Sequence, residues 1–214
     1  MNVIFGAGGF AREVHFLIQR CRAAGQPLDA LACFVAADQD PLVGQQLHGV
    51  PVRGETHFFE AHAGQTINCF VAVGAPALRQ KIVTSIRRHL QPVFPVLLDP
   101  SVIYDRDRVM IAEGTIVCAG TILTTDIQIK AFTQINLDCT VGHDTLTGPF
   151  STLSPGVHVS GGVQMGSSCF IGTGAVILEN LQLAEKTVVG AGAVVTTHLT
   201  EAGVYIGVPA RKRG

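Results

Sequence analysis

Residues 135–165 read INLDCTVGHDTLTGPFSTLSPGVHVSGGVQM, and stepping by six from Ile135 gives Val141, Thr147, Leu153, Val159 and Met165, apolar but for Thr147. The beat extends in both directions. It begins at Ile111, passes Val117, Leu123 and Ile129, and continues through Ile171, Ile177, Leu183 and Val189 to Val195. The next residue is usually small, as at Ala112, Cys118, Gly142, Gly148, Gly166, Gly172, Ala184 and Gly190, with Lys130 and Asn136 among the exceptions. Four residues after each beat stands mostly Thr, Ser, Cys, Ala or Val. An α-helix repeats every ~3.6 residues and a strand every ~2, so a sustained period of six fits neither alone. It predicts a parallel β-helix of hexapeptide repeats. Three hexads make a triangular coil of about 18 residues, and coils stack about 4.8 Å apart, giving about five coils. The aliphatic residue of each hexad points inward, and the small residue beside it lets the chain turn the corner.

Upstream of Ile111 the pattern changes to strands alternating with helices. Asn2 to Phe5 reads as a strand, Gly6-Ala7-Gly8-Gly9 as a tight turn, and Ala11 to Ala24 as a helix with Val14, Leu17, Ile18 and Cys21 at helical spacing. Leu31 to Val35 and Asn68 to Val73 are further strands, separated by the turn-rich stretch Asp38 to Gly54. Ala75 to Leu90 is a second helix with Leu78, Ile82, Val83 and Ile86 inward. Pro92 to Leu98 closes this unit and Asp99-Pro100-Ser101 hands over to the coils. The expected architecture is a Rossmann-like α/β domain over residues 1–100 followed by the β-helix over 101–214.

The glycine turn fits G-x-G-x-x-G/A between a strand and a helix, a place for phosphate at a helix N-terminus. A dinucleotide site also expects an acid at the end of the second strand. That strand ends here in Ala36-Ala37, with Asp38 and Asp40 only in the following turn. NAD is therefore disfavoured, and by its residues alone the turn either receives a phosphate or merely packs helix on strand.

Charged residues make up 14% of the chain and the net charge is −1, so nothing electrostatic points to nucleic acid. Cys21, Cys33, Cys69, Cys118, Cys139 and Cys169 form no C-x-x-C pair and read as reduced, buried fillers of a cytoplasmic protein. No apolar run approaches the ~20 residues of a membrane span.

The opening GAGG-x-A-x-E-V, the H-G-V-P-V-x-G stretch at His48 to Gly54, V-G-x-x-x-x-R-x-x-I at Val73 to Ile82, and the hexapeptide coils together resemble the NeuD/PglD-type sugar acetyltransferases. The resemblance spans essentially the whole chain. It implies left-handed coils, a homotrimer with active sites between subunits, acetyl-CoA as donor, and an acceptor sugar, commonly a nucleotide diphosphate sugar, held by the N-terminal domain. It assigns acceptor contacts to Gly8, Gly9, Phe10 and Gly74, with Asp38 in the turn beyond the second strand. This chain has Phe10 where the family usually has His, and Ala36-Ala37 where it has an acidic pair.

Acyl transfer from a thioester needs a base for the attacking amine or hydroxyl, and histidine suits neutral pH. Of the eight histidines, His143 stands two residues after a beat, at a coil corner, with Asp144 beside it to orient the ring. The stretch Asn136 to Asp144 is similar to the family segment with the catalytic base. The resemblance therefore implies His143 as general base, Asp144 as the carboxylate that raises its basicity, and Asn136 near the reacting groups. Coil arithmetic stacks Gly161 on His143, followed by Gly162, and missing side chains there leave either a slot for the thioester or simply a corner. The donor contacts implied are Thr152, Gly161, Gly162, Thr173, Ala191, Gly207, Pro209, Ala210 and Arg211, Thr152 standing where the family usually has a second His. The cations Arg211 to Arg213 meet the coenzyme A phosphates or are merely solvated.

The function expected is N-acetylation of a nucleotide-linked amino sugar for surface glycans such as lipopolysaccharide, with O-acetylation of a sialic acid-like sugar as the alternative. A carbonic-anhydrase-like zinc site wants three histidines and finds no short-spaced pair in the repeat, so no metal is expected. A trimeric, non-catalytic sugar-nucleotide binder is the remaining class, and retention of His143-Asp144 argues against it.

Overall fold

The continuous apolar run Val3-Ile4-Phe5 is buried on both faces, as the central strand of a parallel sheet must be. That strand, β1 (Asn2–Phe5), is followed by α1 (Gly9–Ala23), β2 (Leu31–Ala36), β3 (Gln46–Leu47), β4 (Val50–Gly54), α2 (Glu55–His62), β5 (Thr66–Val71), α3 (Pro76–His89) and β6 (Gln91–Val93). The computed structural model describes residues 1–213 and separates into two compact units, Met1–Pro95 and Val96–Gly214. In the first, the sheet order is β3-β4-β2-β1-β5-β6, parallel throughout except for the β3–β4 hairpin. The chain moves outward from β1 in one direction through β2 and in the other through β5. The strand order thus reverses at β1, where doubly wound sheets open a crevice for ligands.

Three expectations for this unit change. Helix α2 lies within a stretch where the sequence showed no helix. On α3 the inward residues are Arg79, Val83 and Ile86, whereas Leu78 is 49% exposed and Ile82 only half-buried. Leu97–Leu98 does not close the sheet: it pairs with Ile116–Val117 as the first strand of the coils, ahead of the expected handover at residue 100.

The second unit is a parallel β-helix with left-handed winding, an exception to the right-handed crossover rule. Its first wall carries Leu97–Leu98, Ile116–Val117, Gln134–Ile135, Thr152–Leu153, Phe170–Ile171, Val188–Val189 and Val204–Ile206. The second carries Ile103–Tyr104, Ile122–Leu123, Thr140–Val141, His158–Val159, Val176–Ile177 and Val194–Val195. The third carries Met110–Ile111, Gln128–Ile129, Leu146–Thr147, Gln164–Met165 and Gln182–Leu183. Strands pair in register eighteen residues apart, as in Thr140 with His158 and Gln134 with Thr152. The coils begin a turn before Ile111. An extra residue in the turn after Tyr104, where the Val109 N–H returns to Asp105 O at 3.0 Å, throws the first turn out of step and hides it from a strict six-residue count.

Each hexad sends two side chains inward, the beat and the residue four beyond it. Full burial of each aliphatic one contributes about 2 kcal/mol. Polar residues at the second position are satisfied by the next coil: Thr121 Oγ1 donates to Asn136 O at 3.1 Å, Thr145 Oγ1 to Ser160 O at 3.3 Å, and Cys139 Sγ to Ser154 O at 3.2 Å. Among the described residues Thr187 Oγ1 finds no such partner, for it stands where the regular coils end. Thr147, the one polar beat, is fully buried with its hydroxyl 3.4 Å from Thr133 Oγ1.

The corners are not where the small residues suggested. The left-handed backbone falls three residues after each beat, at Asp126, Asp138, Asp144, Asn180 and their glycine equivalents Gly120, Gly156, Gly162 and Gly174. The small residue just after the beat has a different cause. A Cβ on Gly142 would lie 2.6 Å from Gly161 N, and one on Gly172 2.6 Å from Ala191 N, so the side chain is absent because the next coil's backbone is too close.

Candidate active site and acceptor cavity

At the corner between the second and third walls, Val141 points inward and Gly142 presses on the coil below, which turns His143 outward. His143 Nδ1 lies 2.8 Å from Asp144 Oδ2. With the carboxylate accepting the Nδ1 proton, the ring's free lone pair is on Nε2, which makes no hydrogen bond among the described residues. Asp144 occupies the left-handed corner at φ 59°, and this conformation turns its carboxylate back to the ring.

Gly161 stacks beneath His143 as coil arithmetic expected, with Gly162 N–H donating to His143 O at 2.7 Å. The space left by the missing side chain is filled, however, by the imidazole: a Cβ on Gly161 would fall 2.6 Å from His143 Nε2. Gly162 is itself a left-handed corner, over the side chain of Asn180.

The other expected donor residues lie elsewhere in the coil. Asn136, whose Oδ1 accepts the Leu137 N–H at 2.8 Å, stands with Thr173 and Ala191 on the edge between the first and second walls. Gly207 and Ala210 close on the last strand of the second wall, as Val194 N–H donates to Gly207 O at 3.1 Å and Ala210 N–H to Val194 O at 2.7 Å. Pro209 lies between them, and Arg211 follows in a short strand antiparallel to Val204–Ile206. Of the three tail cations, Lys212 is committed to Glu201 at 2.7 Å. Thr152 is buried on the first wall, a different face from that of His143. Within one chain, then, His143, Asp144, Gly161 and Gly162 come together, and Asn136, Thr173 and Ala191 form a second edge. The second wall lies between the two edges, its outer column running Ile103, Ile122, Thr140, His158, Val176 and Val194.

In the α/β unit a cavity of about 620 Å³ opens over the C-terminal ends of β1, β2 and β5, a size usual for small-molecule sites. Of the residues assigned above to acceptor contacts, Gly8, Gly9, Phe10 and Gly74 line it and Asp38 does not. The Asp38 carboxylate caps α2, accepting the Thr56 N–H at 3.1 Å and the Thr56 hydroxyl. Gly54 has no side chain because a Cβ there would meet Asp38 Oδ1 at 2.5 Å. Asp40, Glu55, Leu78, Lys81 and Ile82 line the cavity instead. The two apolar ones were assigned to the core by helical spacing, and no local pattern marks Glu55, which reaches the cavity only because α2 packs beside α3.

The glycine turn divides its tasks. Gly6 has φ 121°, and a Cβ there would lie 2.9 Å from Ala72 O. Gly8 and Gly9 have ordinary backbone, and a Cβ on either would find no protein atom closer than 3.9 Å. Their open side faces the cavity at the start of α1, a helix with no side-chain cap. Below the cavity, the buried Arg79 guanidinium donates to Val73 O at 2.7 Å and Gly74 O at 3.1 Å and so holds the loop after β5. Burial lowers its pKa to about 9, leaving it charged at neutral pH.

The six cysteines are buried and form no disulfide among the described residues, and burial pushes Cys139 and Cys169 up to about 11. Among the described residues no three His, Cys, Asp or Glu side chains converge to hold a metal, and no helix is long and apolar enough to cross a membrane.

A coil of this kind, with an exposed imidazole at its corner, is the architecture of the hexapeptide-repeat acyltransferases. Residues 3–86 match the family described as PglD N-terminal domain. The chain is 29% identical over 190 residues to GDP-perosamine N-acetyltransferase of Escherichia coli O157:H7, covering 88% of this chain and 82% of that protein. A histidine-to-asparagine mutant of perosamine N-acetyltransferase from Caulobacter crescentus, solved with CoA and GDP-perosamine, superposes with TM-score 0.85 at 31% identity, over 100% of this chain and 96% of that one. The acetyltransferase domain of PglB from Neisseria gonorrhoeae, solved with acetyl coenzyme A, gives 0.84 at 26% identity, over 99% and 98%. The chain belongs to the PglD-type sugar acetyltransferases.

Proposed function

We propose that this enzyme transfers the acetyl group of acetyl-CoA to the amine of a nucleotide-linked amino sugar, with His143 as general base. The observation that carries the assignment is the His143–Asp144 pair, which holds an imidazole at a coil corner with Nε2 free. The amine attacks the thioester carbonyl, forming the C–N bond, and its proton passes to Nε2. A backbone N–H at a coil corner steadies the oxyanion. Collapse of the tetrahedral intermediate breaks the C–S bond, and the thiolate of coenzyme A takes the proton from His143. Asp144 holds the tautomer and balances the imidazolium.

The acceptor reading rests on the cavity over β1, where Gly8 and Gly9 let phosphate approach the start of α1. Lys81 on the facing helix supplies a cation for the same group. The donor reading rests on a trimer. Ile103 and Ile122 on the second wall are 64% and 39% exposed, an apolar strip that calls for a neighbouring subunit. Packing that wall on a neighbour sets the His143 edge of one subunit against the Asn136, Thr173 and Ala191 edge of the next, and acetyl-CoA lies in the groove between. The test is thiol release from acetyl-CoA with a panel of nucleotide amino sugars. Turnover with a nucleotide amino sugar supports the reading; turnover only with free sugar hydroxyls would replace it by O-acetylation.

A further inference from the structure

The acceptor cavity holds three charged side chains, Asp40, Glu55 and Lys81, and they are not equivalent. Asp40 Oδ1 already accepts the Leu42 N–H at 2.9 Å, closing its own turn. Glu55, at the first turn of α2 and half-buried, has no hydrogen-bond or ion-pair partner among the described residues, so both carboxylate oxygens are available to a ligand. At the neighbouring strand end, Ala36-Ala37 offers no acid to a ribose and leaves room for a ring.

A carboxylate with two free oxygens asks for two adjacent N–H donors in a plane. Among the common nucleobases guanine presents them on one edge, at N1–H and the N2 amine. Uracil and thymine offer a single N–H flanked by two carbonyls, which repel a carboxylate, and the adenine edge pairs a donor with an acceptor. Resting on the acceptor reading above, we propose that Glu55 is the base-reading residue and selects a guanine nucleotide, accepting both guanine donors while Lys81 and the Gly8-Gly9 turn hold the diphosphate.

The proposal is tested by calorimetric titration of GDP, inosine diphosphate and UDP into the wild-type protein and the Glu55→Gln variant, with acetyl-CoA binding measured on each sample as the check of fold. Inosine diphosphate lacks only the N2 amine. Wild-type protein should bind GDP about 10- to 100-fold more tightly than either competitor, the worth of one good bidentate contact. Glu55→Gln, with one acceptor oxygen and a misplaced donor, should bring the ratio of GDP to inosine diphosphate affinity close to one. A wild-type protein that binds UDP as well as GDP overturns the base assignment and leaves the acceptor reading standing, as does a Glu55→Gln variant that keeps the wild-type ratio. Failure of all three nucleotides to bind overturns both.

Discussion

The imidazole of His143 occupies the space that a side chain at residue 161 would need, a Cβ on Gly161 falling 2.6 Å from Nε2. The glycine one coil below therefore sets the position of the ring, and the 2.8 Å contact with Asp144 sets its tautomer.

Gly161→Ala tests the first of these. The backbone there needs no left-handed conformation, so the coil should form, and the methyl group should push the ring off its mark. A misplacement of the order of 1 Å costs about 10²-fold in rate. We expect kcat to fall by that order with circular dichroism unchanged; a wild-type kcat would show that the ring position is not critical.

Removing the base is the more direct experiment. His143→Ala should lower kcat by about 10²–10⁴ with the fold intact, the usual loss for a general base. Asp144→Asn should cost less, since the ring stays over Gly161. Retention of more than half the wild-type rate by His143→Ala at saturating substrates would show that the proton leaves by another route.

Gly9→Val separates the two substrates. A Cβ at this position has only Arg12 Nη2 near it, at 3.9 Å. Folding should survive, and the acceptor should be crowded where its phosphate approaches the backbone. Acceptor KM should rise and acetyl-CoA affinity stay level, because the proposed donor groove is built from coils. Equal weakening of both would assign the turn to the fold or the donor.

Arg79→Met leaves the carbonyls of Val73 and Gly74 without their donor and frees the loop that carries Gly74. The α/β unit should lose about 3 kcal/mol of stability, the cost of unmet buried acceptors and a lost charge-assisted bond. Chemical denaturation would measure it, and an unchanged midpoint would mean the loop is held by other contacts.

Assembly is checked by light scattering. The apolar strip on the second wall should give a trimer of about three times 22.6 kDa at micromolar concentration. A monodisperse monomer would rule out the proposed intersubunit donor groove.

Much of this protein is legible as pattern. The six-residue beat is local and repetitive, so the inward beat residue, the coil stacking and the outward turn of His143 follow from counting alone. The glycine turn and the alternation of strands and helices reveal the α/β unit in the same way. Counting fails where one residue breaks the period, as in the turn after Tyr104, and where two causes produce the same small residue. Only the stacked coils separate Gly142, whose Cβ would strike Gly161 N, from Gly162, whose backbone is left-handed.

The partners of side chains were decided by tertiary packing. Asp38 and Asp40 stand two apart in one turn, yet Asp38 caps a helix eighteen residues on and Asp40 lines the cavity. Leu78 and Arg79 are neighbours on α3, and helical spacing favours the leucine for the core. The structure buries the arginine instead, because two backbone carbonyls at the end of β5 accept its protons, and it leaves the leucine on the cavity wall. Periodicity in a chain records which way a residue faces, whereas which atoms it meets depends on segments brought together from far along the sequence.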